Sequence, residues 1–397
     1  MSTIVLTATT AHPTIRVRGV SPEQKKLDQD AHPTLQQIRD AIPKDCFESS
    51  LPISLAYVAR DLFYAGALIY LALQIQHIPS LPLRVAAWSI YAFFQGCVGT
   101  GIWILAHECG HGAFSRYQKV NSLVGWVLHS ILLVPFFSWQ ITHARHHRNT
   151  GHIDRDPVFS PTKENELPED HDHDAHDLWE DAPIVSTVQF LIHHITGFQL
   201  YLLTNVTAGP KSGPPSHGGR PSGSHLNPYS DLFTPDQRYL IAMSTLGLIL
   251  TLTGVYSATY VLPTSTVALL YFPPYMMVHF FIVAITYLHH TDPATPYYSS
   301  STWNFTKGAL STVDRDFGFI GRHFMHDIID HHVVHHLFSR IPFYKAERAT
   351  KAMMPLLGNN YRERKDVSFF GELSKNWAQC GFVREDDQGR WKWVVKE

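Results

Sequence analysis

Four long apolar runs constrain this chain more than any other feature in it. Val85 to Ala106 carries no charged residue over 22 positions. As a helix rising about 1.5 Å per residue it is about 33 Å long, enough to cross a bilayer core. Leu51 to Ile75 is interrupted only by Arg60 and Asp61, a pair that belongs near an interface or paired inside a bundle. Tyr239 to Leu262 and Val267 to Leu288 complete the set. Short breaks, His77 to Pro82 and Pro263 to Thr266, divide the runs into two pairs. The expected fold is an all-α integral membrane protein with four transmembrane helices in two hairpins. The spans cover about 51–75, 85–106, 239–262 and 267–288. Pro273-Pro274 is expected to kink the last of them. Segments at about 123–137 and 184–206 suit interfacial or re-entrant positions, and 34–42 suits a short amphipathic helix.

Charge then sets the orientation. The two breaks contain no Lys or Arg, although Arg84 sits at the edge of the first. Nearly all of the 32 basic residues fall in the N-terminal arm, the middle segment and the C-terminal tail, which the positive-inside rule places in the cytosol. The expected organisation is a cytosolic arm over 1–50, a membrane domain over 51–370 and a cytosolic tail over 371–397. Met1 to Asp30 lacks the charged and apolar regions of a signal peptide. Residues 207–230, rich in Gly, Pro and Ser, read as a flexible loop without packed structure. A net charge of -2 argues against a nucleic-acid partner. The four cysteines, Cys46, Cys97, Cys109 and Cys380, form no C-x-x-C pair and read as reduced thiols.

Histidine is the outlier, at 26 residues. His107 and His111 stand one helical turn apart where the second run ends. His143, His146 and His147 repeat that geometry at i, i+3, i+4, and so do His332, His335 and His336. In the expected topology all three clusters reach the cytosolic face. One tetrahedral zinc needs at most four ligands, whereas eight imidazoles can hold two metals and leave positions open. That count, next to a bilayer, favours iron acting with oxygen on a hydrophobic substrate. Such a pair can attack an unactivated C–H bond, which no side chain can. His289 and His290 end the fourth span on the same side, the right place for a further ligand at His290. Glu108 has two readings: the base of a zinc hydrolase built on H-E-x-x-H, or a carboxylate that accepts an imidazole N–H and fixes its tautomer. Asp154, Asp156, Asp314 and Asp316 suit the second role, or capping and surface charge. The run His171 to His176 reads as a solvated tract, and His193 and His194 as interfacial polar residues.

The boxes H-E-C-G-H-G-A-F-S (107–115), H-A-R-H-H-R-N-T-G-H (143–152) and H-V-V-H-H-L-F-S-R-I-P-F-Y (332–344) resemble those of the membrane fatty acid desaturases. Arg155 to Phe159, Tyr287 to Pro293 and Thr312 to Gly318 extend the likeness, which is closest to the microsomal oleate (Δ12) and ω3 desaturases of fungi and plants. The resemblance makes 51–370 a desaturase domain whose cytosolic histidine-rich cap holds a di-iron site. It implies that His107, His111, His143, His146, His147, His332, His335 and His336 are iron ligands and catalytic, with His290 as the ninth ligand. His289 stands where the family usually has Gln, and His331 is a further unusual imidazole. Also implied are O2 as co-substrate, acyl chains of membrane phospholipid (or acyl-CoA) in a bent tunnel, and residence in the endoplasmic reticulum with both termini cytosolic. No H-P-G-G marks a fused cytochrome b5. A separate cytochrome b5 and its NADH-dependent reductase are therefore implied as electron donors, and a homo- or hetero-dimer is compatible with the family. Δ12 desaturation of oleoyl chains to linoleoyl is the leading expectation, ahead of ω3 desaturation and of a hydroxylase, acetylenase or conjugase on the same scaffold. An intramembrane zinc protease is more remote, because the last two spans contain no Asp or Glu to complete its ligands. A non-catalytic lipid or metal sensor has no need of open metal sites.

Overall fold

The computed structural model describes residues 32–167, 183–214 and 221–395. The tract His171 to His176 lies outside the described residues. The early chain forms α1 (Leu35–Ala41), α2 (Leu51–Ala72), α3 (Leu81–His111), α4 (Gln118–Ser130), α5 (Phe136–Asn149), α6 (Pro183–Thr204), α7 (Arg238–Ala258) and α8 (Thr264–His290). Among the described residues, four helical segments are long and apolar enough to cross a membrane: Leu51–His77, Leu81–His111, Pro235–Ala258 and Thr264–His290. They coincide with the four apolar runs. Large apolar side chains point outward on α2 (Phe63, Tyr70) and α7 (Tyr239, Ile249), as lipid-facing helices require.

The central helix is α3, whose second half is buried almost without interruption from Gly96 to Cys109. Pro82 sits in its first turn, where a missing N–H costs nothing. It ends at Gly112, whose φ of 74° is left-handed and whose N–H turns back to the carbonyls of Glu108 and Cys109. Packing on α8 requires small residues. A Cβ on Gly99 would lie 2.6 Å from Val278 Cγ2. The helix α8 packs mainly on α3 and α6, and α7 on α4 and α5, so α7 and α8, adjacent in sequence, are not each other's chief partners.

Three of the expected features take definite form. First, α8 runs through Pro273-Pro274 without a break. Pro274 leaves the carbonyl of Leu270 without its i+4 donor, and the Tyr91 hydroxyl donates to it at 2.8 Å. Second, the described part of 207–230 is packed. Ala208 and His225 are fully buried, and the Gly209 and Lys211 N–H groups donate to the carbonyls of Asp156 and Asp154, both at 2.8 Å. Third, of the two placements expected for Arg60 and Asp61 the structure takes pairing inside the bundle, where buried Asp61 bonds both Arg60 and His326 Nε2, the latter at 2.7 Å.

The later chain forms the cap: β1 (Tyr297–Tyr298), α9 (Phe305–Ala309), β2 (Asp314–Arg315), α10 (Gly318–Phe324), α11 (His332–Leu337), α12 (Phe343–Leu357) and β3 (Glu363–Arg364). Ile38, Ile42 and Cys46 of the N-terminal arm bury themselves against α11 and α12. The described residues beyond 368 have structure of their own. They fold as α13 (Phe369–Gln379) and the strands β4 (Cys380–Glu385) and β5 (Arg390–Val395). The order β1-β5-β4 makes a small antiparallel sheet, with Val383 and Trp393 in a core shared with Ile153 and Tyr297. The fold is thus mainly helical with a minor β element, driven by tryptophans that the tail's overall polarity conceals.

Candidate metal centre

The histidine clusters meet where α3, α5, α8 and α11 end together. His107 and His111 ride the last turn of α3, His143, His146 and His147 the C-terminal half of α5, and His332, His335 and His336 the short helix α11. Helical spacing brings the tips of each pair together. Nε2 atoms face one another at 3.2 Å for His107 and His111, 3.1 Å for His143 and His147, and 3.0 Å for His332 and His336. Across helices, His146 and His290 face at 3.3 Å.

Two groups of donor atoms result, each within 4.8 Å of one another: His107, His111, His143, His147 and His335, and then His146, His290 and His336. His332 falls outside both by that criterion, but touches the second through His336. His289 does not join them. Its Nδ1 donates to the Val313 carbonyl at 2.6 Å, and its ring stacks on His332 at 4.0 Å. His331 is also apart, in a small pocket beside Glu108 and Asp327.

The donor set fits metal ions. His335 Nε2 is buried without a hydrogen-bond partner. Facing nitrogens can be satisfied in pairs only if one of them carries a proton, whereas a shared cation satisfies both. Tautomers are fixed from behind. His146 Nδ1 lies 2.8 Å from Asp156 Oδ1, which leaves Nε2 free as a donor to metal. His336 Nδ1 faces Thr150 Oγ1 at 3.1 Å, and that hydroxyl already donates to the His146 carbonyl, so the imidazole must be the donor.

Of the five carboxylates considered from sequence, Asp156 alone takes this role. Glu108 Oε1 is 3.7 Å from His107 Nδ1, and its Oε2 accepts the Phe343 N–H at the start of α12. Asp314 accepts from Val333 N, Asp154 pairs with Lys163, and Asp316 pairs with Arg322. Two tryptophans went unread in the sequence. Trp139 stacks on His143 at 4.2 Å and Trp103 on His107 at 5.5 Å. Each stands four residues before its histidine, a spacing that was there to be seen.

Burial holds His143, His147, His332, His335 and His336 well below the ordinary value of 6.5, and neighbouring imidazoles add to it. They are neutral at physiological pH, the form that binds metal. A depressed histidine pKa means the unfolded chain takes up protons first. The stability is therefore intact above about pH 6.5 and declines as pH falls toward the folded values. The thermal midpoint of metal-free protein in detergent is expected to drop between about pH 7 and about pH 5, more steeply than that of protein loaded with metal.

A cavity of about 950 Å³, including its mouth, runs up to these imidazoles. It is lined by His107, His143, His146, His290 and His332 together with apolar side chains, among them Ile104, Phe198, Ile282 and Ile285. Half-buried Val158, Thr207, Val283 and His193 also line it. His193 lines this cavity and His194 is buried, with its Nδ1 on the Phe190 carbonyl.

Comparison with known proteins agrees with this architecture. Residues 83–367 match the fatty acid desaturase family model. A Δ12 fatty acid desaturase of Mortierella isabellina is 41% identical over 95% of this chain and 94% of its own length. An oleate hydroxylase of Claviceps purpurea is 40% identical over 91% of this chain and 80% of its own. An endoplasmic-reticulum ω6 fatty acid desaturase of Glycine max is 38% identical over 94% and 92%. With the family model spanning most of the chain and relatives matched nearly end to end, this protein belongs to the fatty acid desaturase family.

Proposed function

We propose that the protein desaturates acyl chains of membrane phospholipid with O2, placing the Δ12 double bond in oleoyl chains to give linoleoyl. The observation that carries this reading is the mainly apolar cavity whose lining includes five of the clustered imidazoles. In it the eight box histidines and His290 hold two irons, with His332 completing the second group. Iron bound there supplies the oxidising power to take hydrogen from an unactivated C–H bond. The chain's own residues do the rest. The apolar walls exclude water and align the acyl chain so that two adjacent carbons face the metal groups. Asp156 and Thr150 hold two imidazoles in the metal-binding tautomer.

Removing two hydrogens and reducing O2 to water requires two further electrons. We assign these to a separate cytochrome b5 and its NADH-dependent reductase, approaching the cap from the cytosol. In this reading all three histidine clusters and both termini face the cytosol, and the spans form two hairpins in the endoplasmic reticulum. All nine histidines come from one chain, so a dimer is not needed to build the site. A relative named oleate hydroxylase makes hydroxylation the second reading.

Expression in a yeast host that makes no linoleate, with double bonds located by derivatised mass spectrometry, separates the readings. A new C18 chain unsaturated at Δ9 and Δ12 is the expected product. A triply unsaturated product formed only from supplied linoleate would make this an ω3 desaturase, and a hydroxy-acyl product the second reading. No new product, with protein in the membrane and cytochrome b5 supplied, would overturn the proposal.

A further inference from the structure

We propose that Glu372, on α13, is a positioning residue for the second metal group, acting through Arg315 on the end of α8. The inference rests on the two-iron reading. It also lies outside the family match, which stops at residue 367.

A helix leaves its last four carbonyls without partners of its own. At the end of α8 each carbonyl is taken by a specific donor. The Tyr287 carbonyl accepts from Thr291 N at 2.7 Å and the His289 carbonyl from Val313 N at 3.1 Å. The His290 carbonyl accepts from the Tyr297 hydroxyl at 2.7 Å. The Leu288 carbonyl accepts from Arg315 Nε at 2.8 Å. One residue on, the Thr291 carbonyl accepts from Arg315 Nη2 at 3.3 Å and from Asn376 Nδ2 at 2.7 Å. The Arg315 guanidinium therefore brackets His289 and His290. A cation there also complements the negative end of the helix dipole.

Arg315 is itself fully buried, and two carboxylates fix it: Glu372 Oε2 at 2.7 Å from Nη1 and Asp292 Oδ2 at 3.2 Å from Nη2. Asp292 lies on the same strand of chain as His290 and moves with it. The Arg315 backbone is held in the cap by β2; Glu372, from a different element, holds its guanidinium in place against the end of α8. Asn376, one turn further along α13, adds the second tie. The group His107, His111, His143, His147 and His335 takes nothing from α8. Loosening this clasp should release one metal group and spare the other.

The test is metal analysis of full-length protein purified in detergent, with turnover and the folded fraction by gel filtration measured on the same samples. Wild type is expected to carry two irons per chain. Glu372→Ala should retain about one, with turnover down about 10–100-fold, the range seen when a ligand's outer partner is lost. Glu372→Gln keeps an acceptor oxygen for Arg315 and should recover most of the second iron. Two irons and normal turnover in Glu372→Ala would overturn the proposal. Loss of both irons in step with loss of folded protein would do the same, since that is stability alone. Wild type without two irons would refute the metal reading itself, and this inference with it.

Discussion

His146→Ala is expected to abolish product formation while the protein still inserts in the membrane at normal levels. The His146 ring is held at both of its nitrogens. Its Nδ1 is held by Asp156 at 2.8 Å, its Nε2 faces His290 Nε2 at 3.3 Å, and its ring also meets His336. Losing an outer partner of a ligand costs about 10–100-fold, so losing the ligand itself should cost more than about a hundredfold. The helix should survive, because alanine is the best helix former and the neighbouring turns are unchanged. Product assays with quantified membrane protein check this. Turnover within about tenfold of wild type would remove His146 from the ligand set.

The largest effect on stability is expected from Arg315→Leu. The substitution leaves Asp292 and Glu372, both nearly fully buried, without the guanidinium between them. Arg364 reaches Asp292 at 3.4 Å but is half exposed and screens little. Removing one member of a buried ionic set costs about 3–5 kcal/mol, mostly the penalty of the charge left behind. The Leu288 carbonyl also loses its donor. A clear fall in the thermal aggregation midpoint in detergent is the expected result. Adding Glu372→Leu to the same protein should recover part of it by removing one stranded charge. Equal midpoints for the single and double variants would mean that the charge is not what costs.

What could be read from sequence was what is local. The spans follow from long apolar runs, and each histidine cluster from spacing along one helix face. What could not be read were contacts between distant elements. Asp156 looked no different from Asp154, Asp314 or Asp316, because only the fold brings it to His146. His289 and His290 are adjacent in sequence, and only the turn ending α8 sends one to a carbonyl and the other to the metal group. The proline pair in α8 could be read, but not the Tyr91 hydroxyl from another helix that takes the carbonyl it strands. Residues beyond 368 looked polar on average, yet Leu373, Trp377 and Trp393 pack, and Glu372 reaches Arg315.

The most direct measurement is metal content together with iron-edge X-ray absorption on the purified full-length protein. Two irons per chain, each ligated mainly by imidazole nitrogen, is the expected result. A single tetrahedral zinc, or metal bound without imidazole ligands, would contradict the di-iron centre on which the proposed function stands.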